Sequence, residues 1–235
     1  MSQSYFKFKQ FLVNQEKAAF KVGTDGVLLG ACASVDRASN ILDIGTGTGL
    51  IALMAAQRSK ATIYAIEPDK ESYQQACENF INSKWNDRIH AFNERIQDFN
   101  EDIRFDLILS NPPYFVNSLK NPDQRSAKAR HNDDLSYVDL ISSVIRLMTT
   151  DGLFEVILPF NESKIFNEMA NAKNLFCVKR VLFKPKSNME PNRIVSSFSF
   201  SKQEPVEKVI TIETDKRYCF TPEYIDLTKD FYLKF

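Results

Sequence analysis

The segment Ile41-Leu42-Asp43-Ile44-Gly45-Thr46-Gly47-Thr48-Gly49 constrains this chain more than any other. Residues 40–44 form a short apolar run that reads as a buried strand, and residues 50–59 read as an Ala-rich helix. Three glycines on alternate positions join them. Glycine there permits a tight turn and lets backbone N–H groups come close to a ligand. A strand, a glycine turn and a helix in that order open a βαβ unit, and the same rhythm continues. Residues 61–66 predict the next strand, and Pro68-Asp69 opens a helix to about residue 82. Residues 89–92 and 105–110 predict two more strands. Residues 135–148 carry apolar side chains at helical spacing, with Asp151-Gly152 as the expected stop. A fifth strand at 153–158 and a helix to about residue 172 follow. Two β-type runs, 175–183 and 194–201, are joined by the loop 184–193. The expected fold class is α/β, a mostly parallel, doubly wound sheet ending in an antiparallel β-hairpin.

Ahead of this pattern, Phe6, Phe8, Phe11 and Val13 suggest a strand or hairpin arm, with Phe20 and Val22 as a candidate partner strand. Thr24-Asp25 offers N-caps for the apolar helix at 26–31. Residues 1–35 therefore read as a short N-terminal extension packed on the core, and residues 36–235 as one compact unit. Apolar residues at 43% and charged residues at 26% fit an ordinary globular chain and exclude a mainly disordered one. No run approaches 18 apolar residues and no signal-type segment opens the chain, so no membrane span is expected and the cytoplasm is the expected compartment. Cys32, Cys77, Cys177 and Cys219 are widely spaced, which suits reduced thiols. With only His90 and His131, a histidine-based metal site is not expected.

The glycine spacing is G-x-G-x-G. A dinucleotide site would normally place its third glycine one residue later, so an oxidoreductase is the weaker nucleotide reading. The D-x-G-x-G-x-G form resembles motif I of class I methyltransferases, Rossmann-like enzymes that bind S-adenosylmethionine (SAM). That ligand has no phosphate to seat on a helix N-terminus. The resemblance implies that Asp43, Gly45, Gly47 and Gly49 border the cofactor, with Asp43 near the methionine amino group. Glu67 ends the next strand, where a carboxylate can accept bonds from both ribose hydroxyls. Asp98, in Arg95-Ile96-Gln97-Asp98-Phe99, matches the acidic position that faces the adenine amine.

Asn111-Pro112-Pro113-Tyr114 follows the strand at 105–110 and falls on the carboxyl edge of the sheet, where open α/β folds bind ligands. These residue types suit methylation of an amino group whose lone pair is delocalised. The Asn111 side-chain carbonyl and the Pro112 main-chain carbonyl can accept its two hydrogens, which favours a tetrahedral nitrogen and stabilises the charge that develops during attack. The prolines fix the carbonyl direction, and Tyr114 offers a ring face for a planar target. Asn111, Pro112, Pro113 and Tyr114 are the candidate catalytic residues, with Asn111 also bordering the cofactor. The motif resembles that of amino methyltransferases acting on adenine N6, guanine N2 or the glutamine amide.

Three classes share it. A release-factor-type glutamine methyltransferase usually carries a helical recognition domain before motif I, and only about forty residues precede Asp43 here. A guanine-directed ribosomal RNA enzyme often carries a larger partner domain. The stretch Phe20-Lys21-Val22-Gly23-Thr24-Asp25-Gly26-Val27-Leu28-Leu29-Gly30-Ala31 is similar instead to the N-terminal signature of bacterial tRNA1(Val) adenine-N6-methyltransferases. So are Ala129-Arg130-His131 and Pro191-Asn192-Arg193. That resemblance runs over most of the chain. It implies tRNA as the partner, modified next to the anticodon, and a Thr24-Asp25-Gly26 turn that closes over SAM. No segment points to an obligate protein partner. A non-enzymatic RNA-binding module with the same fold is the contrasting reading, and the intact Asn111–Tyr114 motif argues against it.

The formal net charge is +0, but the charges are segregated: residues 31–110 hold 8 basic against 12 acidic, and residues 161–235 hold 13 against 10. Lys120, Arg125, Lys128 and Arg130 follow the Asn-Pro-Pro-Tyr motif. Lys179, Arg180, Lys184, Lys186 and Arg193 surround the late hairpin loop. Both loops are expected beside the target pocket. Lys120, Arg125, Lys128, Arg130, His131, Lys184, Lys186 and Arg193 are therefore the candidate RNA contacts.

Overall fold

The computed structural model describes residues 4–114 and 135–234. Ten strands and six α-helices follow along them. They are β1 (Tyr5–Lys7), β2 (Leu12–Asn14), α1 (Thr24–Cys32), β3 (Asn40–Ile44), α2 (Leu50–Arg58), β4 (Thr62–Ile66), α3 (Lys70–Ile81), β5 (Ile89–Phe92), β6 (Phe105–Ser110), α4 (Tyr137–Leu147), β7 (Met148–Pro159), α5 (Phe160–Asn171), β8 (Phe176–Lys186), β9 (Arg193–Ser199), β10 (Val206–Glu213) and α6 (Pro222–Thr228). Eight strands form one sheet in the order β10-β8-β9-β7-β6-β3-β4-β5. β3 to β7 run parallel, and β9 lies antiparallel between β7 and β8. The chain reverses direction across the sheet after β5, so a crevice opens at the carboxyl ends of β3 and β6.

Both sheet faces are covered by apolar clusters. Leu28, Leu29, Leu53 and Met54 of α1 and α2 pack with Ile41, Ile63 and Leu107 on one face. Leu140, Val144 and Phe166 of α4 and α5 pack with Leu42, Ile108, Phe154 and Phe198 on the other. This two-sided burial explains why the central strands read as continuous apolar runs rather than as alternating ones.

Several local expectations are revised. The partner of β1 is β2, with Phe6 opposite Val13. Phe20 and Val22 form no strand, and Phe20 is 77% exposed. The α1 N-cap is Gly23, which has no side chain to cap the helix, and the Asp25 carboxylate is engaged with Tyr114 and Arg193 instead. Asp151-Gly152 does not end α4. The chain passes straight from Leu147 into β7, and Asp151 and Gly152 lie within that strand. A Cβ on Gly152 would come within 3.0 Å of the Phe105 carbonyl, at the point where the β6–β7 register shifts. The hairpin β8–β9 forms as expected but does not end the sheet. β10 adds a further strand parallel to β8, and α6 follows.

The two ends of the chain meet. The Lys9 N–H donates to the Phe231 carbonyl at 2.8 Å, and the Phe8 and Tyr232 rings stack 6.0 Å apart. The arm is thereby held against the same side of the sheet as α1 and α2.

Candidate active site

The crevice is a cleft of about 1720 Å³. Its floor is the glycine turn after β3. Gly45, Gly47 and Gly49 all have left-handed φ, at 72°, 56° and 83°. A Cβ on Gly49 would sit 2.4 Å from the Phe80 ring, so the third glycine packs α2 against α3. A Cβ on Gly45 or Gly47 would meet nothing within 4 Å, so that backbone faces open space. The turn is also tied down from below. Gly45 N–H and Thr46 N–H both donate to the Ile66 carbonyl, at 2.9 and 3.1 Å. Gly47 N–H donates to Glu67 Oε2 at 2.9 Å, Gly49 N–H to the Thr46 carbonyl, and Ala52 N–H to Asp43 Oδ2. These five donors already have protein acceptors, and a carboxylate lies behind them. A pyrophosphate needs the opposite arrangement, so the turn suits a ligand without phosphate.

Asp43 is fully buried beneath the turn and is absent from the cleft wall. Its Oδ2 accepts from Thr46 Oγ1 at 2.6 Å and from Ala52 N–H at 3.1 Å, while Oδ1 has no protein partner. Burial pushes the Asp43 carboxyl up to about 7, against the pull of those two bonds. Glu67, at the end of β4, does line the cleft. Its Oε1 accepts from Asp69 N–H at 3.0 Å, which holds both oxygens toward the turn. Burial raises its pKa as well, with the bonds from Asp69 and Gly47 opposing. Asp98 is placed differently from its expectation. It is exposed and outside the cleft wall, and Ile96 and Gln97 line the cleft instead.

The second wall is Asn111 to Tyr114. Ser110 Oγ donates to the Ile44 carbonyl at 3.0 Å, which locks the end of β6 beside the start of the glycine turn. Pro112 is buried, Pro113 is exposed, and Asn111 and Tyr114 are half-buried in the cleft. The Tyr114 hydroxyl lies 2.5 Å from Asp25 Oδ2 and 3.1 Å from Asn111 Oδ1. Arg193 Nε donates to the same Asp25 oxygen at 2.9 Å, and its guanidinium lies over the Tyr114 ring, 5.5 Å from the centroid. Burial, and then the bond to Asp25, push the Tyr114 phenol up from its usual range. Thr24 also lines the cleft. Three segments far apart in sequence thus meet on one side of the cleft.

Arg193, expected beside the target pocket, lies in this wall. The loop between β8 and β9 opens at the carboxyl edge, since Arg193 pairs with Pro159 at the end of β7. Lys184 Nζ donates to the Ser187 carbonyl and Lys186 Nζ to the Asp215 carbonyl, each at 3.2 Å, so both side chains border that loop. Arg180 lies back along β8, paired with Glu207 at 2.9 Å. Lys120, Arg125, Lys128, Arg130 and His131 fall outside the described residues. The cleft also takes Phe20 from the arm side and Ile212, Phe220, Tyr224 and Tyr232 from the C-terminal side. Phe20 was read from sequence as part of a strand, and the four C-terminal residues were not singled out; the aromatic content after residue 217 was the one signal for Phe220, Tyr224 and Tyr232. Among the described residues, no group of three or more His, Cys, Asp or Glu is placed to hold a metal ion, and no helix is long and apolar enough to cross a membrane.

A parallel sheet with a switch point, a phosphate-averse glycine turn and an Asn-Pro-Pro-Tyr wall define a class I methyltransferase site. Residues 18–127 match the family described as the methyltransferase small domain. A Bacteroides fragilis protein named tRNA1(Val) (adenine(37)-N6)-methyltransferase is 45% identical over 237 residues, covering 100% of both chains. A Trichodesmium erythraeum protein of the same name is 45% identical over 240 residues, again covering 100% of both. Among solved structures, one described as a predicted O-methyltransferase from Agrobacterium tumefaciens aligns with a TM-score of 0.69 at 18% identity, covering 88% of this chain and 96% of its own. That likeness concerns the fold. The full-length identity shows that this chain belongs to the tRNA1(Val) (adenine(37)-N6)-methyltransferase family.

Proposed function

We propose that this chain transfers a methyl group from SAM to the exocyclic N6 amine of an adenine in tRNA, next to the anticodon of a valine tRNA, in the cytoplasm. One observation carries this reading: Asn111 and Tyr114 face the same cleft as Gly45, Gly47 and Glu67, so an amino-group acceptor site and a nucleoside site share one wall-to-wall space. Full-length identity to relatives bearing that name supports the substrate.

The residues present fit SAM. Glu67 keeps a second lone pair on each oxygen for the ribose hydroxyls. The open backbone at Gly45 and Gly47 lets the chain of the cofactor lie close. The unpartnered Asp43 Oδ1 is a buried acceptor on the far side of the turn, toward which a cationic amino group is drawn electrostatically. Thr24 and its neighbours close this end, and the adenine edge falls to the Ile96-Gln97 segment. SAM supplies an electrophilic methyl group on a sulfonium.

The protein then has three tasks at the target base. Tyr114 presents a ring face for stacking, and Arg193 lies over its ring. Asn111 Oδ1 and the Pro112 carbonyl accept the two N6 hydrogens, which withdraws the nitrogen lone pair from the purine and aims it at the methyl carbon. The N–C bond forms as the S–C bond breaks, and the aminium proton leaves to water. That proton is acidic, so no strong base is needed. Bases of the anticodon loop are single-stranded, so bringing one into the cleft requires less unstacking than in a duplex. Lys184 and Lys186 flank Pro185, which lines the cleft, and border the loop beside it, where they take RNA phosphates.

The test is incubation with methyl-labelled SAM and, separately, unmodified tRNA, duplex DNA and a release factor. Label recovered as N6-methyladenosine in tRNA is the expected result. Label in glutamine, in guanine or only in DNA overturns the reading.

A further inference from the structure

The Tyr114 hydroxyl has one proton and two acceptors within reach. Asp25 Oδ2 stands at 2.5 Å and Asn111 Oδ1 at 3.1 Å. The Asn111 oxygen is the acceptor that the target amine requires under the function proposed above, on which this inference rests. A Tyr114 proton pointed at Asn111 would occupy a lone pair of that oxygen and weaken its hold on the amine hydrogen. A carboxylate is the stronger acceptor, and the shorter distance agrees with it. Arg193 Nε donates to the same Oδ2 at 2.9 Å, so one oxygen serves both donors and stays aimed at the tyrosine. The Asp25 side chain is 21% exposed and that of Arg193 30%, which keeps the pair partly out of water. Asp25 lies in the first turn of α1, whose N-cap is Gly23, and no side chain of that turn caps the helix, so the Asp25 carboxylate faces Tyr114 and Arg193.

We propose that Asp25 is a positioning residue for methyl transfer: its carboxylate, held by Arg193, captures the Tyr114 hydroxyl proton and so leaves the Asn111 side-chain carbonyl free for the target amine. It touches neither the base nor the methyl group. Its effect passes through the direction of a single O–H bond.

This role makes an unusual prediction about paired substitutions. Asp25→Ala releases the Tyr114 hydroxyl toward Asn111 and lowers the single-turnover rate at saturating tRNA and SAM by about tenfold, the size of one hydrogen bond. Adding Tyr114→Phe removes the competing proton while keeping the ring. The double variant is therefore expected to react several-fold faster than Asp25→Ala alone. A merely structural aspartate gives the opposite, since a second lesion in the same wall adds to the first. Melting temperature and SAM affinity are measured on each protein. Should Asp25→Ala fail to fold, Asp25→Leu, which is close in shape and also has no acceptor, is paired with Tyr114→Phe and judged by the same criterion. A double variant as slow as or slower than the single overturns the proposal. An unsubstituted protein that transfers nothing to adenine overturns instead the functional reading beneath it, so the two failures are distinct.

Discussion

The two walls of the cleft are built by different means. The wall proposed for the cofactor is largely backbone. Its glycine turn and N–H donors, the carboxylate Glu67 and the buried Asp43 beneath the turn come from one stretch of chain, β3 to β4. The wall proposed for the base is made of side chains gathered from afar. Tyr114 meets Asp25 across 89 residues, and Arg193 meets Asp25 across 168. A backbone wall is preorganised by the fold and tolerates little change in chain geometry. A side-chain wall can be edited one group at a time, and its lesions should appear in transfer rather than in cofactor binding.

The largest expected effect tests that separation. Asn111→Ala removes the acceptor for the amine and is expected to lower the transfer rate by roughly a hundred- to thousandfold, the size seen when one preorganised group is lost. SAM affinity by calorimetry should stay within about threefold. Equal collapse of both would mean that the walls are not separable. Gly49→Ala attacks the other wall. It forces a side chain into left-handed φ against the Phe80 ring. A loss of about 2 kcal/mol or more is expected, lowering the melting temperature by about 4–8 °C and weakening SAM binding together with it. An unchanged melting curve would contradict the packing role of that glycine.

Asp43 gives the pH signature of the backbone wall. Its carboxyl is raised from 3.8 to about 7, so the folded state holds this proton where the unfolded chain has lost it. Its contribution to stability is fully present below about pH 4 and is lost as pH rises through about 7. Asp43→Asn should therefore flatten the fall in urea midpoint between pH 5 and 8. A slope identical to that of the unsubstituted protein would refute the burial argument. The smallest effects belong to the loop beside the cleft. Lys184→Ala and Lys186→Ala are each expected to raise the KM for tRNA a few-fold, and to reduce the salt dependence of binding by about one unit of slope each, with SAM affinity unchanged. An unaltered salt slope would remove them from the RNA path.

The contrast between the walls also explains what could be read from the sequence. Residues 40–44 and 105–110 announced buried strands because both sheet faces are covered, so apolar runs stay unbroken. Gly45, Gly47, Gly49, Glu67 and Asn111 were legible because their chemistry is local: each sits at a strand end, and strand ends converge on one edge. The Asp25–Tyr114–Arg193 contact was not. Thr24-Asp25 looks like an ordinary N-cap, and nothing local shows that its carboxylate faces the opposite wall. Arg193 was read as a candidate RNA contact beside the pocket, and its bond to Asp25 had no local signal for the same reason. Asp98 matched a motif by type, but the turn joining its N–H to the Arg95 carbonyl leaves it exposed, while Gln97 faces the cleft. β10 escaped because Glu207 and Lys208 interrupt its apolar residues. It is an edge strand, and the first four of its residues are exposed.

The most direct measurement is nucleoside mapping by mass spectrometry of a valine tRNA incubated with the protein and SAM. The account predicts a single added methyl group, on N6 of the adenine next to the anticodon, and an initial rate roughly a hundred- to thousandfold lower when Asn111→Ala replaces the unsubstituted protein. A methyl group on another base or another atom, or an equal initial rate from Asn111→Ala, would contradict it.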